Sequence, residues 1–269
     1  MASPSANLWP VERLLRHDRV ILAASLLLLT LLSWIYLFRM AASMTSHSAM
    51  AGMDMPGMAM PDMRAWGPSD IVYLFGMWAL MMVAMMLPSA APVILLVLAT
   101  HRRRGGQGSL FVAACFVAGY LAIWTAFSFG AALAQWVFHR TALLSPQMSA
   151  SSAYFSAVIL LAAGIYQWLP FKDVCLAHCR SPLAFLSAAW REGTVGAFLM
   201  GSRHGLFCTG CCWALMALLF VAGVMNLLWV AVIAAFVLVE KLAPRGPWVG
   251  RFAGVLLVIW GLGLLLGSL

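Results

Sequence analysis

The sequence predicts an all-α polytopic transmembrane helix bundle, on three observations. Hydrophobic residues make up 64% of the 269 positions and charged residues only 9%, with a mean hydropathy of +0.96, a balance foreign to soluble domains. Apolar segments of span length, about 20 residues each, recur along the chain. Basic residues sort to one side when the segments are threaded in and out.

The candidate spans are 20–38, 70–99, 110–138, 152–170, 205–223, 225–239 and 250–268, with a tight turn between the fifth and sixth near Gly223 to Asn226. Segment 193–204 is too short to cross and reads as an interfacial or re-entrant helix. The count is therefore six or seven. With the N-terminus in the cytoplasm, the inner side holds Arg13, Arg16, Arg19, Arg102, Arg103, Arg104, Lys172, Arg180, Arg191, Arg203, Lys241, Arg245 and Arg251, and the outer side only Arg39, Arg64 and Arg140. That bias predicts seven spans in a bacterial inner membrane and an outward C-terminus. The +8 net charge is thus mostly topological, and scattered short basic loops argue against a nucleic-acid partner. The first span reads as a retained anchor. Its apolar run exceeds a signal-peptide core and no small-x-small cleavage site follows it.

Three regions result: a basic tail with the first anchor at 1–39, an external Met-rich loop at 40–69, and a transmembrane bundle at 70–269 with surrounding lipid as its medium. The loop carries Met50, Met53, Met55, Met58, Met60 and Met63 among Gly and Pro, a composition that predicts a flexible segment. Thioethers are soft donors suited to Cu(I) and bind without deprotonation, so this loop reads as a metal-capture segment; a low-complexity linker is the alternative. Span two is also Met-rich. Met77, Met81 and Met85 share one face and Met82 and Met86 the next, followed by Pro88, which predicts a kink. Taken alone, that stripe is equally a packing surface.

The densest chemistry lies at His204, Cys208, Cys211 and Cys212. At about 100° per residue these four fall on one helix face within an arc of about 100°, and Met200 and Met216 extend the ladder. Buried Cys is commonly just a small hydrophobe. Three thiols in five residues with an imidazole one turn away instead predict a soft-metal site, because ionisable groups at membrane depth mark function. A disulfide is disfavoured at a cytoplasmic-side position. The loop at 171–192 adds Cys175, His178 and Cys179, a half-site for metal. Counting residues puts Met85 about 9 Å and Cys212 about 11 Å from the inner face. The two stripes are therefore expected to meet. One helix face cannot close a coordination shell, so span two or residues 171–180 should supply the other half. Glu240 and Lys241 read as a helix-end ion pair, with a proton or metal exit carboxylate as the alternative. Asn226 reads as a cap; His101 and His139 read as interface residues, and His17 carries no signal.

The blocks Met81-Met-Val-Ala-Met-Met-Leu-Pro-Ser-Ala, Gly205-Leu-Phe-Cys-Thr-Gly-Cys-Cys-Trp-Ala-Leu-Met, Gly223-Val-Met-Asn and Glu240-Lys-Leu-Ala-Pro resemble a bacterial domain-of-unknown-function family. Its members are described as predicted metal-binding integral membrane proteins, some labelled copper chaperone. The resemblance covers roughly residues 70–268. It implies kinship of fold and a metal, without a defined reaction.

The expectation is a Cu(I)-binding membrane protein for copper transfer, delivery or homeostasis, working with a periplasmic or cytoplasmic copper carrier or client cuproprotein. Zinc is the second metal considered. A membrane thiol–disulfide redox protein and a complex subunit with structural zinc are the alternatives. No Gly-x4-Gly-Lys-Ser/Thr motif occurs, so active pumping by this chain alone is not expected; a metal-binding or transfer protein is favoured over an enzyme.

Overall fold

A computed structural model describes residues 8–51, 68–145 and 150–267. Among these, the chain is helical throughout, with one isolated bridge between Leu144 and Ala150. The helices are α1 (Leu8–Ala51), α2 (Pro68–Arg103), α3 (Ser109–Arg140), α4 (Ala153–Tyr166), α5 (Pro170–Arg180), α6 (Pro182–Ala189), α7 (Gly193–Ala217), α8 (Leu219–Ala222), α9 (Leu227–Leu242) and α10 (Gly246–Gly267).

Five stretches are long and apolar enough to cross a membrane: His17–Ser43, Asp70–Arg103, Ser109–Arg140, Gly193–Ala222 and Gly246–Gly267. A sixth arises if α4 and α5, which meet at a 64° bend, form one broken span. Helix α9 has 16 residues, short of the roughly 20 that a span needs, so the seventh expected crossing rests on it. Large apolar side chains stand exposed along α1 and α10, among them Leu28, Leu31, Ile35, Phe252, Ile259 and Leu266. Such belts suit lipid rather than water.

Three expectations are corrected. Segment 193–204 is not a separate re-entrant helix; it forms the first three turns of α7, because nothing after Gly193, at φ 77, interrupts the ladder. The expected loop 171–192 is α5 and α6, each opened by a proline at its first turn, where the missing N–H costs nothing. The start of the expected external loop, residues 40–51, continues α1, since Gly and Pro begin only at Gly52. Side chains of 44–50, Met50 included, and the remaining loop methionines lie outside the described residues. The turn before α9 is as expected. Asn226 caps the helix by accepting from the Trp229 amide, after Gly223 at φ 90.

Helix α7 sits at the centre, closely crossed by α3. A side chain added at Gly119 would strike the Phe198 carbonyl, and one at Gly201 the Phe116 carbonyl. Small residues let these backbones touch, the usual device where lipid offers no hydrophobic drive. Helix α2 continues through Pro88 and Pro92 and buries Met77, Trp78, Met81, Met82, Met85 and Met86 against the same core.

Candidate functional site

The site is built where α2, α3, α5, α7 and α9 converge. Helix α7 presents Cys208, Cys211 and Cys212, each no more than 1% exposed. Their spacing along the helix puts the thiols side by side, as expected for i, i+3 and i+4. Helix α5 brings Cys179 close enough to interact with Cys208 and Cys211. The Cys211 and Cys212 thiols both donate to the Cys208 carbonyl, which keeps them beside it. Four cysteines from two helices are therefore neighbours in the buried core. Helix α2 adds Met86, whose Sδ is 4.0 Å from the Cys212 Sγ. All six cysteines are free.

Two groups that the sequence reading did not place in the site are also there. The Tyr120 hydroxyl of α3 is 3.1 Å from the Cys208 Sγ and donates to the Met86 carbonyl at 3.1 Å. The Lys241 ammonium donates to the Cys208 Sγ at 3.0 Å and to the Ser89 Oγ at 3.1 Å. Lys241 thus does not pair with Glu240, which corrects the helix-end reading. Adjacent residues on a helix point about 100° apart. Glu240 turns instead to Lys172 of α5, and both are buried. Lys172 also donates to Gln167.

These contacts fix α5. Besides the Lys172–Glu240 pair, Arg180 donates to the Glu240 carbonyl at 2.7 Å and the Pro244 carbonyl at 2.9 Å, at the C-terminal end of α9. Such an end favours a cation. Arg251 of α10 meets Asp173 at 2.9 Å. Cys179 is therefore held against α7 by the ends of α9 and α10.

The other expected donors are placed as follows. His204 is buried on α7 one turn before Cys208, ringed by Phe185, Tyr120 and Phe116 at centroid distances of 5.2, 5.8 and 6.0 Å. Its Nδ1 has no hydrogen-bond partner. Met216 is buried one turn past Cys212, and Met81, Met82 and Met85 are buried in the N-terminal half of α2. Cys175 is buried with its Sγ against Gly210. His178 stacks on Phe207 at 4.0 Å and hydrogen-bonds with the Val174 carbonyl. It borders a groove of about 360 Å³ that Phe185 and Arg203 also line. Met200 accepts from the Arg191 amide at 3.3 Å.

Among the described residues, no three His, Cys, Asp or Glu side chains form a ready-made metal site. The thiols of Cys211 and Cys212 are turned back onto the Cys208 carbonyl, at 3.1 and 3.0 Å. Rotation about one side-chain torsion each would free them, a change between ordinary staggered wells. The donor set itself suits a soft ion: four thiols, a thioether and an unpartnered buried imidazole nitrogen.

Comparison with known families agrees with that chemistry. The family model PpoB2, described as copper chaperone, matches residues 75–264, well over half of the chain. The chain belongs to that family. No curated protein and no solved structure matches it.

Proposed function

We propose that this member of the copper chaperone family binds Cu(I) within the membrane, at the thiols of Cys179, Cys208, Cys211 and Cys212, and passes it between copper carriers or to a client cuproprotein. The observation that carries the reading is the convergence of four thiols from α5 and α7 beside the Met86 thioether. Thiolate and thioether ligands select Cu(I) over harder ions. Met86 and the orphaned His204 Nδ1 offer neutral donors that complete a shell without adding charge.

Depth supports an intramembrane site. Cys208 lies 14 residues before Ala222, about 21 Å along the helix. Cys208 lies about equally far from the Gly193 end of α7, so in a core of about 30 Å the thiols are at mid-depth. The basic-residue asymmetry supports placing the Gly193 end of α7 on the cytoplasmic side of a bacterial inner membrane. Cys179 is the one of the four that is not fully shielded, so ligand exchange with a carrier begins there and proceeds thiolate by thiolate into the α7 cluster. On the other side, the loop methionines act as the capture segment and the buried Met77, Met81, Met82, Met85 series leads inward.

Thiols in mutual contact also favour one second reading, a dithiol–disulfide couple. One experiment separates the two. The wild-type protein and a Cys208→Ser/Cys211→Ser/Cys212→Ser variant are purified anaerobically, analysed for metal, and titrated with Cu(I) against a chromophoric chelator. Tight Cu(I) binding lost in the variant supports the copper reading. Unchanged Cu(I) binding in the variant sinks it. Thiols that titrate at a defined potential without metal favour the redox couple, and stoichiometric zinc in the wild type favours a structural site.

A further inference from the structure

Glu240 and Lys241 are consecutive residues of one helix end with separate tasks. The Glu240 carboxylate is neutralised by Lys172. Lys241, 6% exposed, directs its ammonium into the thiol cluster, 3.0 Å from the Cys208 Sγ. The Ser89 hydroxyl holds it from the other side at 3.1 Å. Cys211, Cys212 and Tyr120 are also in electrostatic reach of it. A cation so deep, with the nearby carboxylate already committed, needs an anion within the cluster.

We propose that Lys241 is the counter-charge of the loaded site, a specificity-determining residue that sets the number of thiolates around Cu(I) at two. The inference rests on the copper reading above and deepens it. A Cu(I) ion with two thiolates carries a net charge of −1, which the Lys241 ammonium cancels. A third thiolate would leave −1 uncompensated, and a single thiolate with neutral donors would leave +1. Low-dielectric surroundings penalise both. The contact to Cys208 names one of the two thiolates. The second comes from the thiols beside it in the cluster, Cys179, Cys211 or Cys212. Met86 and His204 then remain neutral donors.

The test uses the full-length protein in detergent. Lys241→Met, Lys241→Arg and Ser89→Ala variants are titrated anaerobically with Cu(I) against a chromophoric chelator. The thiols protected from alkylation per bound copper are counted by mass spectrometry. Loss of a supporting partner typically weakens metal binding on the order of 10–100-fold. That loss is expected for Lys241→Met, together with a fall from two protected thiols to one. Lys241→Arg, which keeps the charge, stays close to wild type in both readouts. Ser89→Ala, which only loosens the ammonium, weakens binding several-fold and keeps two protected thiols. Wild-type affinity and two protected thiols in Lys241→Met overturn the inference, as does an Arg variant no better than the Met variant. If Lys241→Met fails to fold, unchanged affinity in Ser89→Ala overturns it instead. A wild type that binds no Cu(I) refutes the copper reading itself, a separate outcome.

Discussion

Replacing Glu240 by Gln should unseat α5 and with it Cys179. The Lys172 and Glu240 side chains are 2% and 1% exposed, so neither charge has water to fall back on. Gln keeps the shape and one acceptor but leaves the Lys172 ammonium buried without a counter-charge. Removing one partner of a buried pair costs about 3–5 kcal/mol. The other anchors of α5 set the scale. Arg251–Asp173 is more than a third exposed on both sides and is worth about 0.2–1 kcal/mol. The two Arg180 bonds to carbonyls contribute roughly 1.5–3 kcal/mol each. The loss is thus comparable with everything else holding the helix. At about 2–4 °C per kcal/mol for chains approaching this size, thermal unfolding in detergent should fall by roughly 6–20 °C. Exchange of the α5 amides should rise selectively. A Lys172→Met/Glu240→Met variant, which removes both charges, should return near wild type. Glu240→Gln as stable as wild type would refute the reasoning. So would a double variant as unstable as the single one.

Two further outcomes follow from the same geometry. Cys208→Ser should lower Cu(I) affinity at least tenfold, about 1.4 kcal/mol, while Cys175→Ser stays within about twofold, because the Cys175 Sγ packs on Gly210; competition titration checks both. Gly201→Val should destabilise the protein by more than the roughly 1–3 kcal/mol usual for overpacking, since the added atoms meet the Phe116 backbone. Gly76→Ala, where nothing lies within 4 Å, serves as the neutral comparison in thermal unfolding.

The part of the site that lies along one helix was legible in advance. The i, i+3, i+4 spacing of Cys208, Cys211 and Cys212 settles their common face whatever surrounds them. The need for a second helix followed from that, and α5 brings Cys179 while α2 brings Met86. What spacing could not supply is rotation between helices. Glu240-Lys241 reads as an ion pair because the letters are adjacent, yet a helix turns them toward α5 and α7 respectively. Tyr120 gave no signal, being one apolar-segment aromatic among many. His204 shares the cysteine face by spacing, but its ring is caged by Phe116, Tyr120 and Phe185. Helix α5 was hidden by its own polarity. Between Pro170 and Pro182, a run with Lys172, Asp173, His178 and Arg180 reads as a loop until each charge finds its partner on α9 or α10.

Those pairings also explain why one short helix matters to the chemistry. The end of α9 does two jobs that are usually separate. Through Glu240 and its terminal carbonyls it anchors α5, and so fixes the distance from Cys179 to the α7 thiols. Through Lys241 it sets the charge those thiols face. A displacement of α9 by even part of a turn would therefore slacken Cys179 and withdraw the cation together. Binding geometry and charge compensation are not independent here, so a ligand that favours one favours the other. On the reading proposed above, a metal–thiolate complex of charge −1 would stabilise Lys241 in place and so favour the contacts by which α9 holds α5 against the cluster.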